Sequence, residues 1–134
     1  MKIRELLSLF IFTAVLALAA PSVAGDTAAP KSNQELKQAF ASGKKTVIFF
    51  LNPMGAPCRA QNDVLQKLHA DRAKKFNIVN IDATRPSDQK VFYDYGVRGL
   101  PSIVIVDSRG NIGRVFPPGV QSYETLAHVL DSIK

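Results

Sequence analysis

The sequence predicts one α/β domain, a four-stranded mixed sheet flanked by helices on both faces. Two runs of apolar β-formers, residues 46–51 and 102–106, show no polar alternation, which is typical of strands covered on both faces. Amphipathic helical segments alternate with these runs along the chain. With 134 residues, of which 46% are hydrophobic and 21% charged, the chain is long enough for one packed core.

The N-terminal segment is typical of an export signal. A basic start with Lys2 and Arg4 precedes an uncharged apolar run over 6–20, and Ser22-Val23-Ala24 supplies small residues before a cleavage site. The run has 15 residues, fewer than the roughly 20 that a membrane-spanning helix needs. We therefore expect cleavage after Ala24, which would place the protein in the periplasm or outside the cell; the alternative is a retained membrane anchor. The predicted organisation is a signal peptide (1–24), a linker (25–31) and a domain (32–134).

The formal net charge is +6, but the basic residues are scattered and form no stripe. Nucleic-acid binding is therefore not expected, and a solvated surface accounts for the charge. Membrane contact is expected only through an uncleaved signal segment. The expected partners are exported or envelope proteins, either as a thiol partner or as a peptide segment.

The sequence of the first half of the domain predicts a helix, a strand and a second helix. Ser32 and Glu35 fit a capping box, so a helix should run over 33–42. The strand at 46–51 follows, and after a loop Cys58 opens a helix that continues to about residue 74. The apolar face of this helix is predicted from its spacing to contain Val64, Leu65 and Leu68, with Ala60 and Ala73 at its margins.

The second half predicts the remaining elements. A short strand covers 77–81, Ser87 caps a short helix through about Tyr95, and Gly96 ends it. The strand at 102–106 turns through Asp107-Ser108-Arg109-Gly110 into a hairpin partner over 111–116. Ser122 caps the last helix, which reaches about Ile133. The inward residues of that helix are expected to be Leu126, Val129, Leu130 and Ile133.

Two motifs resemble those of the thioredoxin family over residues 33–134, nearly the whole predicted domain. A buried strand, a loop ending in Gly55-Ala56-Pro57-Cys58 and a helix resemble its Cys-x-x-Cys segment. Val97-Arg98-Gly99-Leu100-Pro101-Ser102 resembles its cis-proline loop, and Asn80-Ile81-Asp82 matches the end of its central strand. The resemblance implies a thioredoxin-like fold and thiol-disulfide chemistry.

The departures from the family pattern concern the chemistry itself. Gly55 replaces the attacking cysteine, and Met54 stands where a tryptophan commonly precedes the motif. Phe49 and Ile78 replace an aspartate and a lysine that many thioredoxins keep. Dithiol turnover within the chain is therefore excluded, and whether the protein is an enzyme stays open. An engineered origin of Gly55 stays open as well.

Cys58 is the one cysteine and the candidate catalytic residue. The helix N-terminus, Arg59 and Arg98 favour its thiolate, whereas burial favours the thiol. The alternative is a small buried hydrophobe left from an ancestral cysteine pair.

The candidate binding residues are Met54, Leu100, Pro101 and Arg98. The resemblance implies a cis Leu100–Pro101 bond and a Leu100 backbone that pairs with an extended target segment. An apolar patch of Pro53, Met54, Pro57 and Pro101 would adjoin it. The alternative for Pro101 is a simple turn into the strand.

No cofactor and no metal site is expected. His69 lies about three helical turns from Cys58, and neither it nor His128 has partners at metal-ligand spacing. Two functional hypotheses remain: a single-thiol redox protein with degenerate chemistry, and a non-catalytic or chaperone-like binding module of the cell envelope.

Overall fold

Four strands and four helices follow one another in a computed structural model that describes residues 27–134. The predicted signal peptide and its cleavage site lie outside the described residues. The elements are α1 (Gln34–Ala41), β1 (Thr46–Leu51), α2 (Ala56–Asp71), β2 (Asn77–Asp82), a 3₁₀ turn (Pro86–Asp88), α3 (Gln89–Tyr95), β3 (Ser102–Val106), β4 (Ile112–Val115) and α4 (Tyr123–Ser132).

The strands form one sheet in the order β2-β1-β3-β4. β1 pairs with β2 in parallel and with β3 antiparallel, and β3 pairs antiparallel with β4. The predicted four-stranded mixed sheet is confirmed. The parallel β1-α2-β2 crossover places the N-terminus of α2 beyond the C-terminal end of β1.

The two faces of the sheet bury separate apolar clusters. Val47 and Phe49 of β1 point to the face covered by α2 and α4, whereas Ile48 and Phe50 point to the face covered by α1 and α3. All four side chains are fully buried. Both faces of β1 are therefore covered, which explains why its sequence shows no polar alternation.

The N-terminal caps of two helices, α1 and α3, differ from their predictions. The N-cap of α1 is Asn33, whose Oδ1 accepts from the Leu36 amide at 2.8 Å, while the Ser32 hydroxyl donates to Asp94. Because the Ser32 side chain bonds to Asp94, it does not cap the helix as the capping box predicted. Before α3, Ser87 lies inside the 3₁₀ turn, and the capping position belongs to Asp88.

Helix α2 begins at Ala56, two residues before Cys58, and ends at Asp71. Pro57 is accommodated because the first turn of a helix needs no amide hydrogen there. Ala60 and Ala73 are exposed, so their assignment to the apolar face was wrong. The buried α2 residues are Cys58, Gln61, Leu65 and Leu68.

The predicted linker (25–31) contacts the domain in its described part. The Ala29 amide donates to Gly110 O at 2.9 Å, and Ala29 is buried. The Ile112 amide donates to Thr27 O at 2.8 Å, and the Tyr95 hydroxyl donates to Pro30 O at 2.7 Å. These bonds fasten residues 27–30 to the end of the hairpin and to α3.

Candidate functional site around Cys58

Cys58 lies in the first turn of α2, directly beyond the C-terminal end of β1. Its side chain is only 3% exposed and belongs to the apolar cluster under α2 and α4. The Asn52 amide donates to the Cys58 sulfur, with 3.4 Å between N and Sγ. The strand end and the helix start thus hold the sulfur between them.

Gly55, the N-cap of α2, leaves a gap beside this sulfur. An ideal Cβ placed on Gly55 would lie 3.5 Å from Cys58 Sγ and 3.8 Å from Cys58 Cβ. Disulfide-bonded cysteines have a mean Cβ···Cβ separation of about 3.8 Å. The backbone at 55 is extended, with φ −81° and ψ 129°, so any L-residue fits there. The geometry of a two-cysteine site is therefore retained around one sulfur.

The proline loop approaches the same end of the sheet. Phe50 pairs with Ser102 in the antiparallel register, so Pro101 continues that register beside Leu51. The Leu100–Pro101 peptide is cis. Among the described residues, neither the amide nor the carbonyl of Leu100 has a hydrogen-bond partner. Within the part of the chain that the structure describes, a backbone donor and a backbone acceptor thus remain unpaired close to the start of α2.

The two arginines singled out in the sequence occupy different places. Arg59 is exposed, and its guanidinium donates to Met54 O at 3.1 Å, where it borders the Cys58 cleft. This cleft has a volume of about 490 Å³. Arg98 instead lines a separate cavity together with Tyr95 and Pro118. Arg98 is not among the residues that line the Cys58 cleft within residues 27–134.

The predicted apolar patch is present in part. Pro53, Met54 and Pro57 are exposed, and Met54 is 81% exposed. Pro101 is buried, so its side chain does not contribute to that surface, contrary to the prediction. The exposed apolar surface at this site therefore comes from the loop before α2 and from the first turn of that helix.

The positions that many thioredoxins use for proton transfer are apolar here. Phe49 is fully buried in the cluster that contains Cys58, and Ile78 packs against the same cluster. Asp82, at the end of β2, accepts from the hydroxyl and the amide of Thr84. These bonds, helped by the charge of Arg85, lower the pKa of its carboxyl group. That carboxylate shapes the turn after β2.

The buried side-chain amide of Gln61, which the sequence analysis missed, binds a loop next to the site. Gln61 is fully buried, accepts from the Gln121 amide at 2.5 Å and donates to Gln121 O at 3.2 Å. The loop it holds also contacts the proline loop: the Gly119 amide donates to Pro101 O at 2.9 Å. A glutamine at i+3 from Cys58, on the same helix face, was the available signal.

The histidines lie outside the site. His69 Nε2 lies 2.9 Å from Phe76 O, and its ring packs edge-on against the Phe76 ring. His128 is exposed on α4. Residues 27–134 contain no group of three or more His, Cys, Asp or Glu side chains that would hold a metal. Within the same range, no helix is long and apolar enough to cross a membrane.

Solved structures similar to this chain include two that are named as thioredoxins. A mutant thioredoxin from Halobacterium salinarum matches with a TM-score of 0.64 and 22% identity, over 75% of this chain and 84% of that one. MTB dsbF, in mixed oxidised and reduced forms, matches with a TM-score of 0.57 and 20% identity, over 69% and 82%. The exposed lipoprotein thioredoxin Etrx1 of Streptococcus pneumoniae matches with a TM-score of 0.61 and 14% identity, over 73% of this chain and 90% of that one. At these identities the likeness shows the fold.

Sequence comparison gives a more specific result. No curated protein matches the chain. The family model of the thioredoxin-like domain, however, matches residues 32–134, which contain every helix and strand described above. The helix start at Gly55 and Cys58 and the loop at Pro101 lie at one end of the sheet. Together with the match to the family model, this arrangement shows that the chain belongs to the thioredoxin-like domain family.

Proposed function

We propose that this protein is an exported, single-thiol member of its family that forms mixed disulfides through Cys58. The observation that supports this most directly is the gap at Gly55. A second sulfur would lie within bonding reach of Cys58 Sγ at that position, and the chain leaves the position empty. A sulfur from another molecule can occupy this space without competing with a side chain of the protein.

The chemistry is one thiol-disulfide exchange. The Cys58 thiolate attacks one sulfur of a disulfide, the new Cys58–sulfur bond forms as the old sulfur–sulfur bond breaks, and the second sulfur leaves as a thiolate. The Cys58 proton passes to solvent or to that leaving thiolate. Because the chain has no second thiol, release of the adduct needs a thiol from outside, such as glutathione.

Two structural features lie beside the attacking sulfur. The Asn52 amide hydrogen points at it, and the N-terminus of α2 lies beside it. The 3% exposure of Cys58 opposes attack on a large substrate. We therefore expect reaction with small disulfides, or with a protein disulfide that enters the cleft as an extended segment.

The proline loop supplies the means to hold such a segment. The amide and carbonyl of Leu100 have no hydrogen-bond partner within residues 27–134, and an extended peptide can pair with both as a short added strand. Exposed Met54 and Pro57 offer apolar contact alongside. Export, which the N-terminal signal pattern predicts, would give the site access to disulfide-containing proteins.

Intact mass spectrometry tests the thiol chemistry. Native protein incubated with oxidised glutathione should gain one glutathione, and Cys58→Ser should gain none. Denatured wild-type protein measures the reactivity of the same thiol without the fold. If the denatured protein reacts fully while the native protein stays unmodified over the same hours, the single-thiol function is refuted.

The burial of Cys58 favours a second candidate function, a non-catalytic binding module. In that case partner capture depends on the proline loop and not on sulfur. Pull-downs from the envelope fraction with Cys58→Ser and with Pro101→Ala separate the two, with Pro86→Ala on the exposed 3₁₀ turn as the matched proline control. Capture that survives Cys58→Ser but is lost with Pro101→Ala supports the module, and capture unaffected by Pro101→Ala contradicts it.

A further inference from the structure

Another cavity opens at the end of the sheet opposite Cys58. It has a volume of about 360 Å³ and lies where β1 and β2 begin, next to the C-terminal end of α4. Because β1 rises about 3.3 Å per residue, roughly 20 Å separate this basal cavity from the start of α2. Its lining includes Gly43, Lys44, Lys45, Arg72, Lys75, Phe76, Ser108, Leu130, Asp131 and Lys134.

The basal cavity has a strong excess of positive charge. Five of its lining residues are basic, whereas Asp131 is the one acidic side chain that lines it within residues 27–134. The Arg72 guanidinium already pairs with that carboxylate at 2.8 Å. Asp131 therefore neutralises the charge of Arg72, and the four lysine ammonium groups keep their positive charge without an acidic side chain in the lining.

The four lysines differ in their contacts within residues 27–134. Lys45 Nζ donates to Leu130 O at 2.5 Å and so binds the last turn of α4. The ammonium groups of Lys44, Lys75 and Lys134 have neither an ion pair nor a hydrogen bond within the described part of the chain. Like charges that line one cavity repel one another, and a bound anion would offset that cost.

We propose that the basal cavity binds a multiply charged anion of the phosphate class. A phosphate offers several oxygens, which three separate ammonium groups can share, and lysines bind phosphate as point charges. Phe76 and Leu130 give the cavity an apolar wall against which an organic substituent can pack. The phosphate can belong to a soluble compound or to a lipid headgroup, and both present the same chemistry.

Titration calorimetry with inorganic pyrophosphate tests the site in the purified protein. Lys44→Gln combined with Lys75→Gln should weaken binding at least tenfold. The matched control is Lys31→Gln with Lys37→Gln, which removes the same charge from exposed residues outside the cavity and should change Kd less than twofold. Since both pairs are exposed, circular dichroism should show an unchanged fold.

Vesicles then identify the source of the phosphate. Sedimentation with phosphatidylglycerol vesicles, but not with neutral phosphatidylcholine vesicles, indicates a lipid headgroup, provided that pyrophosphate displaces the protein and the cavity double variant fails to sediment. Pyrophosphate binding without sedimentation indicates a soluble ligand. The proposal is overturned if neither probe binds, or if the control pair weakens binding as much as the cavity pair, because general charge would then explain the result.

Discussion

Gly55→Cys should convert the site into a closed disulfide. The Cβ of residue 55 would lie 3.8 Å from Cys58 Cβ, which equals the mean for bridged cysteines of about 3.8 Å. The nearest other atom is Asn52 O at 3.4 Å, an ordinary van der Waals contact. The extended backbone at 55 accepts a side chain without strain. Formation of the bridge therefore requires only a rotamer choice at each cysteine.

The effect on stability follows from the small loop that the bridge closes. The chain-entropy relation applied to residues 55–58 gives about 2 kcal/mol in favour of the oxidised form. For a domain of this size, that corresponds to a Tm rise of about 8 °C over the reduced form. Because the bridge stabilises by restricting the unfolded chain, the native fold should not change.

The measurement compares oxidised and reduced Gly55→Cys by thermal unfolding, with thiols counted in parallel. Oxidised glutathione should remove both thiols, releasing two reduced glutathiones per bridge, and the intact mass should fall by two hydrogens. Gly55→Ser is the matched control, since it adds a Cβ and a polar atom but no sulfur. A variant that keeps two titratable thiols, or whose oxidised form melts below its reduced form, would refute the geometric argument.

Three further predictions concern parts of the fold around the site. Gln61→Leu should lower the free energy of unfolding by about 1–3 kcal/mol, because it leaves the part-buried backbone amide and carbonyl of Gln121 without their hydrogen-bond partner. In urea denaturation, the control Gln66→Leu, at an exposed position on the same helix, should keep the free energy of unfolding within about 0.5 kcal/mol of the wild-type value. Equal urea midpoints for Gln61→Leu and Gln66→Leu would contradict the prediction. Gly99→Ala should cost about 1–3 kcal/mol by the same assay, since its Cβ would lie 2.8 Å from Pro118 Cβ, and unchanged stability would disprove the clash. Burial raises the pKa of Tyr95, so above pH 10 the unfolded chain ionises first and stability should fall as pH rises. Tyr95→Phe should show a smaller fall between pH 8 and 11, and identical slopes for the two proteins would count against that origin.

The sequence by itself determined the order of the elements and the location of the site. The β1 and β3 runs are apolar without interruption, and such local patterns predict strands regardless of their partners. The Gly55–Cys58 and Val97–Ser102 segments were recognised because each motif is contiguous. The sequence alone also shows that the attacking thiol is absent, since Gly55 has no side chain.

Only the tertiary structure decided which polar groups would be satisfied by distant partners. The Ser32 hydroxyl donates to Asp94, Gln61 reaches Gln121 sixty positions away, and Arg98 lines a cavity with Tyr95 and Pro118. The basal cavity joins segments from both ends of the domain, so the spacing of its lysines along the chain contained no signal. The physical reason is that periodicity reports which face of an element is apolar, whereas hydrogen bonds and charge clusters depend on which elements meet in space.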